Sequence, residues 1–291
     1  MTRYRIRHRT EYRYDEPVSI CHNEVRMRPR DDLGMRVERS ELVVEPAPDY
    51  HATHIDYFGN HVDDFAVQGA HDRLTVTVDS VVDRRSVPAT GVDTPWETHR
   101  RGGRDGRRTI GEYRSSSPRV QWNDAMRDYA ATSFAGGRPI GDAVIDLTRR
   151  INADFRYDPT ATDVTTPILE AFASRAGVCQ DFAHLQIGML RSMGLAARYV
   201  SGYLRTLPPP GRPRLVGADA SHAWCAVAAI DPTGDDVHWI DVDPTNAAFC
   251  GDDHLPIAVG RDYDDVAPLR GVVVGGGRNR LKVGVDVEPI D

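Results

Sequence analysis

The stretch Gly177-Val178-Cys179-Gln180-Asp181-Phe182 opens the most strongly marked helix of the chain. Beyond it, apolar side chains recur at the spacing of one broad helix face, and Gly194 stands where such a helix should end. The apolar positions are Phe182, Leu185, Met189 and Met193, with Ala183, Ile187 and Leu190 beside them. Unpaired N–H groups at a helix start favour an anion, so we expect the Cys179 thiol to ionise more readily than in water.

The segment 222–243 predicts a β-hairpin, because two apolar runs flank the turn-rich residues 231–236. If Ile230 pairs with Val237, His222 and Asp243 lie on the same face of the sheet, one diagonal step apart, with Cα atoms about 7–8 Å from each other. A slip of one residue would send them to opposite faces. Taken singly, a histidine at a strand end is usually a surface residue, and an aspartate before Pro-Thr is usually a turn former.

Cys179, His222 and Asp243 together form a candidate catalytic set: a thiol nucleophile, an imidazole base and a carboxylate that orients the imidazole. A cysteine in a helix is more often a small buried apolar residue, so Cys179 needs this partner base before catalysis can be assigned to it. The N–H groups at the helix start would face the oxyanion of a tetrahedral intermediate.

Two regions are predicted along the chain. Residues 4–82 alternate bulky and polar side chains between turn signals, which is typical of a β-domain. Residues 84–120 are rich in Pro, Gly, Ser and Arg and predict an irregular connection. We therefore divide the chain into an N-terminal β-region at 1–115, with a linker from about residue 84 onward, and a catalytic region at 116–291.

The catalytic region predicts helices first and strands afterwards. One helix is indicated over 126–134 and a second, started by Pro139, over 144–155. Extended segments follow the helix that begins at Cys179. Because few strands alternate with helices, the fold class is α+β rather than a parallel α/β sheet.

The composition excludes several classes of protein. The 291 residues carry 36 basic and 43 acidic side chains, for a net charge of −7, which disfavours nucleic-acid binding. The basic concentration at 100–108 contains three glycines and is typical of a solvated loop. No apolar run approaches the roughly 18 residues of a membrane span, and the first residues lack the apolar core of a secretory signal. We therefore expect a cytoplasmic protein with no membrane partner.

No cofactor or metal signature is found. The sequence lacks GxxxxGK[ST], HExxH and CxxC, and it has no GxGxxG after a strand. We therefore expect neither a cofactor nor a metal, and a metal hydrolase is the weaker interpretation. The four cysteines are widely spaced and are expected to be thiols: Cys21, Cys179, Cys225 and Cys250.

In RAGVCQDFAH (175–184), ARYVSGY (197–203), GADASHAW (217–224) and DPTN (243–246), the chain resembles the bacterial transglutaminase-like family of cysteine enzymes. The first 80 or so residues are similar to the N-terminal β-region that accompanies this core in bacteria. The resemblance implies a papain-like core, in which the nucleophile helix packs on an antiparallel sheet. It also implies a catalytic triad of Cys179, His222 and Asp243.

The resemblance further implies acyl transfer through a thioester. We expect water to resolve the thioester, which makes the chain an amide hydrolase with a peptide or protein substrate. Two alternatives stay open: a transglutaminase, in which a lysine amine accepts the acyl group of a glutamine side chain, and a non-catalytic peptide-binding module. The sequence does not indicate an oligomeric state.

Five further residues near the motifs have expected roles. Asp181 and His184 lie one helical turn apart and are expected to pair in support of the helix. Ser221 and Trp224 are expected to shape the cleft around the histidine, and Tyr157 is a candidate for substrate contact or oxyanion support.

Overall fold

The computed structural model describes residues 1–85, 92–101, 104–105, 108–206, 220–231 and 236–290. Its strands are β1 (Thr2–Val25), β2 (Met35–Glu45), β3 (Tyr50–Ile55), β4 (His61–Val67), β5 (His71–Arg84), β6 (Arg104–Asp105), β7 (Arg108–Thr109), β8 (Arg156–Tyr157), β9 (Ala176–Gly177), β10 (Ala197–Leu204), β11 (Ala220–Ile230), β12 (Val237–Asp243), β13 (Ala248–Phe249), β14 (His254–Gly260), β15 (Leu269–Gly275) and β16 (Asn279–Pro289). Its α-helices are α1 (Asp124–Ala131), α2 (Ile140–Asp154), α3 (Ile168–Ser174) and α4 (Cys179–Ser192). Short 3-10 helices cover Trp96–Arg100, Gly111–Arg114 and Tyr263–Asp265.

The N-terminal residues form a sheet around the long strand β1, in the order β2-β5-β1-β4-β3. Tyr4, Ile6 and His8 of β1 are buried, whereas Arg5 and Arg7 between them are exposed. This period of two is the one that a strand with one covered face requires. The predicted β-rich texture of residues 4–82 is thus confirmed.

The last two strands of the chain return to this same sheet. β15 pairs with the second half of β1, and β16 pairs with its first half. Three successive glycines with positive φ make the turn between them, Gly275, Gly276 and Gly277. Residues 269–289, which the sequence division places with the catalytic region, therefore complete the N-terminal sheet.

A second sheet carries the predicted hairpin, in the order β13-β12-β11-β10-β14. Ile230 pairs with Val237, so the predicted register is confirmed. Helix α4 packs on this sheet, where its Phe182 and Leu185 share a buried cluster with Cys225 and Val227 of β11. Helix α4 thus lies on an antiparallel sheet, as expected for the α+β class.

The two sheets contact each other through a separate apolar cluster. It joins β1, β2, β5 and β16 of the first sheet to β10 and β14 of the second, through Tyr4, Ile6, Met35, Val82, Tyr203, Leu255, Ile257, Val285 and Val287. These side chains are nearly completely buried. Strand β14 therefore pairs with β10 in the second sheet and also packs against the N-terminal sheet.

Three predicted helices are confirmed, and a fourth was not predicted. The predicted helices correspond to α1, α2 and α4, and Gly194 ends α4 with φ of +82°. The additional helix is α3, whose seven residues are too few for a clear periodic signal. Part of the Arg/Gly segment at 100–108 and most of the turn at 231–236 lie outside the described residues. Within the described residues, no helix is both long and apolar enough to cross a membrane.

Candidate active site

The start of α4 holds Cys179 in a fixed position. Val178 precedes the helix with an extended backbone, at φ −108° and ψ −178°. The Asp181 carboxylate folds back and accepts hydrogen bonds from the Val178 N–H at 2.8 Å and from the Thr162 hydroxyl at 2.6 Å. Cys179 is half-buried, and the N–H groups of the first helical turn have no acceptor within the helix. The N–H groups of Cys179 and Gln180 are thus suited to an anion next to the thiol.

Gly177 leaves the space that the Asp181 carboxylate occupies. A Cβ at this position would lie 2.6 Å from Asp181 Oδ2 and 2.8 Å from Asp181 Cβ. We expect Gly177→Ala to displace Asp181, loosen the first turn of α4 and lower the free energy of unfolding by about 1–3 kcal/mol, the usual cost of overpacking. Thermal denaturation measures the change, with Gly69→Ala as the control, because a Cβ at Gly69 would meet no atom within 4 Å. An unchanged melting temperature for Gly177→Ala would contradict this assignment.

His222 and Asp243 meet across strands β11 and β12. His222 Nε2 lies 2.7 Å from Asp243 Oδ2. His222 is 8% exposed and Asp243 is completely buried, so solvent does not compete for this hydrogen bond. The register that predicted the two residues on one face of the sheet therefore also brings their side chains into contact.

The two carboxylate oxygens of Asp243 have different partners. Oδ1 accepts from the backbone N–H groups of Thr245 and Asn246, at 2.9 and 3.2 Å, and so forms the turn that an Asp-Pro-Thr sequence favours. Oδ2 accepts from His222 and from the Asn246 side-chain amide at 2.7 Å. Asp243 thus forms the turn with one oxygen and orients the His222 imidazole with the other.

These contacts keep Asp243 ionised and His222 basic. Burial by itself raises the pKa of the Asp243 carboxyl, but hydrogen bonds from the two histidines that contact it outweigh burial and hold this pKa well below its usual range. Burial likewise lowers the pKa of His222, but its hydrogen bonds with Asp243 and Cys179 raise it to about 9. Because Nε2 of His222 faces Asp243, the other ring nitrogen is left for the Cys179 thiol.

The second histidine on Asp243 is His254, which the sequence analysis did not single out. His254 Nε2 lies 3.0 Å from the same oxygen, Asp243 Oδ2. His254 is the first residue of β14, which lies three strands from β12 in the sheet order, yet its side chain reaches the carboxylate at the end of β12. No local spacing of residues carries that information, so the sequence held no signal for this contact.

His222, Asp243 and His254 also form the one group among the described residues whose side chains could together hold a metal ion, with ligand atoms within 4.8 Å of one another. Their present contacts disfavour this use. The Gly251 N–H donates to His254 Nδ1 at 3.3 Å, so the proton of this imidazole belongs on Nε2, the atom that faces Asp243. A protonated nitrogen has no lone pair for a metal.

The expected pairing of Asp181 with His184 is wrong. Asp181 binds Val178 and Thr162, as described above, and His184 Nε2 accepts from the Tyr263 N–H at 3.2 Å. Geometry explains the difference, because Asp181 turns back to the residues before the helix. His184 is held instead against the 3-10 helix at Tyr263–Asp265.

The other residues singled out near the motifs lie around the thiol and the imidazole. Tyr157 is 52% exposed, and burial of the rest of its ring together with the nearby Cys179 raises its pKa. Trp224 is buried beside His222, with ring centroids 6.1 Å apart, and donates to Asp241 at 3.0 Å. Ser221 is exposed, and residues 217–219 of the same motif lie outside the described residues.

Comparisons with known proteins bear on the family and the fold of the chain. A model of the bacterial transglutaminase-like N-terminal region matches residues 4–83, and a model of the transglutaminase-like superfamily matches residues 127–244. An uncharacterized protein of Mycobacterium tuberculosis is 41% identical over 99% of this chain and 93% of its own length. The crystal structure of a candidate cysteine protease from Cytophaga hutchinsonii has a TM-score of 0.77, at 20% identity, over 100% of this chain and 91% of that one. A protein-glutamine gamma-glutamyltransferase of Pseudomonas aeruginosa is 27% identical over 45% of this chain, but only 21% of its own length is matched. The expected transglutaminase-like fold is therefore confirmed.

Proposed function

Because this chain belongs to the transglutaminase-like superfamily and carries its bacterial N-terminal region, we propose that it is a thiol-dependent amide hydrolase. We assign Cys179 as the nucleophile, His222 as the general base and acid, and Asp243 as the residue that orients the imidazole. The observation that carries this proposal is the buried hydrogen bond between His222 and Asp243, with the Cys179 thiol near enough to help raise the pKa of His222.

Acylation begins with transfer of the thiol proton to His222. The Cys179 thiolate attacks the amide carbonyl, and the N–H groups of Cys179 and Gln180 stabilise the oxyanion that develops. The tetrahedral intermediate collapses when His222 returns the proton to the leaving nitrogen. The products are a thioester on Cys179 and a free amine.

Deacylation repeats these steps with water as the nucleophile. His222 takes a proton from water, the hydroxide adds to the thioester carbonyl, and the C–S bond breaks. The carboxylic acid leaves, and the proton returns to the thiolate. Asp243, with its depressed pKa, stays ionised throughout and stabilises the imidazolium that forms in each half of the cycle.

We infer that the substrate is a peptide or protein. The half-buried thiol lies beside the exposed ring of Tyr157, so an amide presented from solvent can reach it. An aromatic ring with one exposed face provides an apolar surface for a side chain of the substrate. Transamidation is the second candidate, because the partly matched Pseudomonas aeruginosa relative is named for glutamyl transfer.

The deciding experiment supplies both acceptors at once. The full-length protein is incubated with a glutamine-containing peptide and a primary amine, and the products are identified by mass spectrometry. We expect backbone cleavage or free acid to exceed the amine adduct. A metal chelator should leave the rate unchanged, whereas iodoacetamide should abolish it, because the sulfur and not a metal supplies the nucleophile.

Two outcomes would overturn the proposal. A predominant amine adduct would make the chain a transglutaminase. Peptide binding without any product, in wild-type protein whose Cys179 is labelled by iodoacetamide, would make it a binding module.

A further inference from the structure

We propose that His254 is a positioning residue that shares the Asp243 carboxylate with His222 and thereby adjusts how tightly the His222 proton is held. The inference rests on the proposed function, since it concerns the same triad. It adds His254 to the three proposed catalytic residues. The family resemblance did not assign this residue or its hydrogen bond to Asp243.

The hydrogen-bond partners of His254 define its tautomer. The Gly251 N–H can only donate, so His254 Nδ1 must accept at 3.3 Å. The ring proton therefore lies on Nε2, which donates to Asp243 Oδ2 at 3.0 Å. His254 thus acts on the carboxylate as a neutral donor with a fixed direction.

The receiving oxygen is the one that also serves His222. Oδ2 of Asp243 accepts from His222 at 2.7 Å, from His254 at 3.0 Å and from the Asn246 amide at 2.7 Å. Each additional donor takes up part of the negative charge and lowers the basicity of that oxygen. The attraction that Asp243 exerts on the His222 imidazolium is therefore smaller than it would be with His222 and Asn246 alone.

Packing keeps the His254 ring in place. His254 is 8% exposed, and its ring meets the Trp224 ring edge to face, with centroids 5.3 Å apart. The next residue, Leu255, is completely buried in the cluster that joins the two sheets. The N-terminal sheet thus fixes the strand that presents His254 to Asp243.

The shared carboxylate affects the step in which the His222 imidazolium gives up its proton. His222 must release its proton to the leaving nitrogen, and an imidazolium held by an unshared buried carboxylate would release it more slowly. With His254 bound, Asp243 still orients the His222 imidazole, but it attracts the imidazolium proton less strongly. Removal of the His254 donor should therefore slow turnover without weakening substrate binding.

Other titratable groups near this cluster do not obscure the effect. They are Cys179 from α4, Cys225 from β11, Asp241 from β12, Cys250 before β14 and Arg84 from β5. Burial raises the pKa of both Cys225 and Cys250 well above the ordinary thiol range. Neither of these buried thiols therefore accounts for a pH transition near 9 at this site.

The kinetic test compares two substitutions of His254 in the full-length protein. His254→Phe keeps a planar ring without the donor, and His254→Gln replaces the ring with an amide N–H at a similar reach. We expect His254→Phe to lower kcat by about tenfold to hundredfold with KM within about twofold, as for loss of a hydrogen bond to a charged group. His254→Gln should stay within about threefold of wild type. Equal loss in both variants would overturn the proposal, because shape rather than the donor would then matter.

The second test needs no turnover. Iodoacetate is an anion, so its reaction with Cys179 slows when the His222 imidazolium loses its charge, which for wild type should occur near pH 9. We expect the alkaline limb of this rate–pH profile to move up by about one to two pH units in His254→Phe, the shift that corresponds to a tenfold to hundredfold change, and to stay near wild type in His254→Gln. An unmoved or lowered limb in His254→Phe would overturn the proposal. If His254→Phe does not fold, His254→Met provides the variant without a donor.

The two tests separate this inference from the proposed function. Wild-type protein that hydrolyses no amide, together with the expected shift of the alkylation limb, would reject only the hydrolase. Amide hydrolysis together with an unmoved limb would reject only the role of His254.

Discussion

Cys179→Ala is expected to lower kcat for amide hydrolysis by about a millionfold, the loss seen when the nucleophile of a catalytic triad is removed. His222 and Asp243 would remain in contact, but a methyl group cannot form the thioester through which we propose the reaction runs. The remaining rate would come from substrate binding and from the N–H groups at the start of α4. Hydrolysis of a glutamine peptide, followed by mass spectrometry, measures the change.

Cys21→Ala is the matched control for this substitution. Cys21 is 1% exposed and lies in β1, within the N-terminal sheet and its own apolar cluster. We expect normal kcat for the control, with a modest loss of stability from the missing buried sulfur. Hydrolysis by Cys179→Ala at a tenth of the wild-type rate or more would show that the sulfur is not the nucleophile.

Asp243→Asn is expected to lower kcat by about ten-thousandfold, as the equivalent change does in serine-protease triads. An amide in place of the carboxylate would present an N–H group to one of the two histidines that now donate to Oδ2. If His222 Nε2 becomes the acceptor, its proton moves to the nitrogen that faces Cys179. That tautomer cannot take the thiol proton, so the nucleophile is not activated.

Asp241→Asn controls for the loss of an acidic side chain on the same strand. Asp241 accepts from Trp224 Nε1 at 3.0 Å, and an asparagine side-chain oxygen can accept this bond as well. We expect kcat of the control to stay within about threefold of wild type. Similar kcat losses for Asp241→Asn and Asp243→Asn would contradict a specific role for Asp243.

Asp243→Asn should also change how stability depends on pH. The depressed pKa of Asp243 gives a stabilisation that is present above the ordinary value of 3.8 and is lost as pH falls through the lower, folded-state value. The pKa of His222, raised from 6.5 to about 9, gives a stabilisation that is complete below 6.5 and is lost as pH rises through about 9. The shift in the His222 pKa corresponds to about 3 kcal/mol of stabilisation of the folded state.

The stability difference between wild type and Asp243→Asn should therefore be largest between about pH 4 and 6.5, should shrink as pH rises from 6.5 to about 9, and should change little above that. Urea denaturation over this range of pH measures it. A constant difference from pH 5 to pH 10 would mean that His222 and Asp243 do not interact as an ion pair.

The N-terminal sheet packs against the strand that carries His254. It is completed by β15 and β16 from the end of the chain, and its apolar cluster includes Leu255 and Ile257 of β14. Strand β14 presents His254 to Asp243. The N-terminal sheet thus helps to fix the position of His254 at the candidate site.

Local patterns were sufficient for the elements that carry the proposed triad. The apolar stripe behind Cys179 predicted α4 because a helix that covers a core must repeat its apolar face every three to four residues. The hairpin register followed from the turn-rich residues between Ile230 and Val237, since a short connection leaves few ways to align two strands. Both signals depend on residues that are close together along the chain, so they can be recognised from the sequence alone.

Contacts between distant segments were not predictable in this way. The sequence by itself determined that a thiol begins a helix and that His222 and Asp243 share one face of a hairpin. Only the tertiary structure decided that His254 reaches the same carboxylate, that Asp181 turns away from His184, and that the last two strands join the first sheet. The physical reason is that strand order and close packing depend on the whole set of covered surfaces, whereas helix and hairpin periodicity depend on a few consecutive residues.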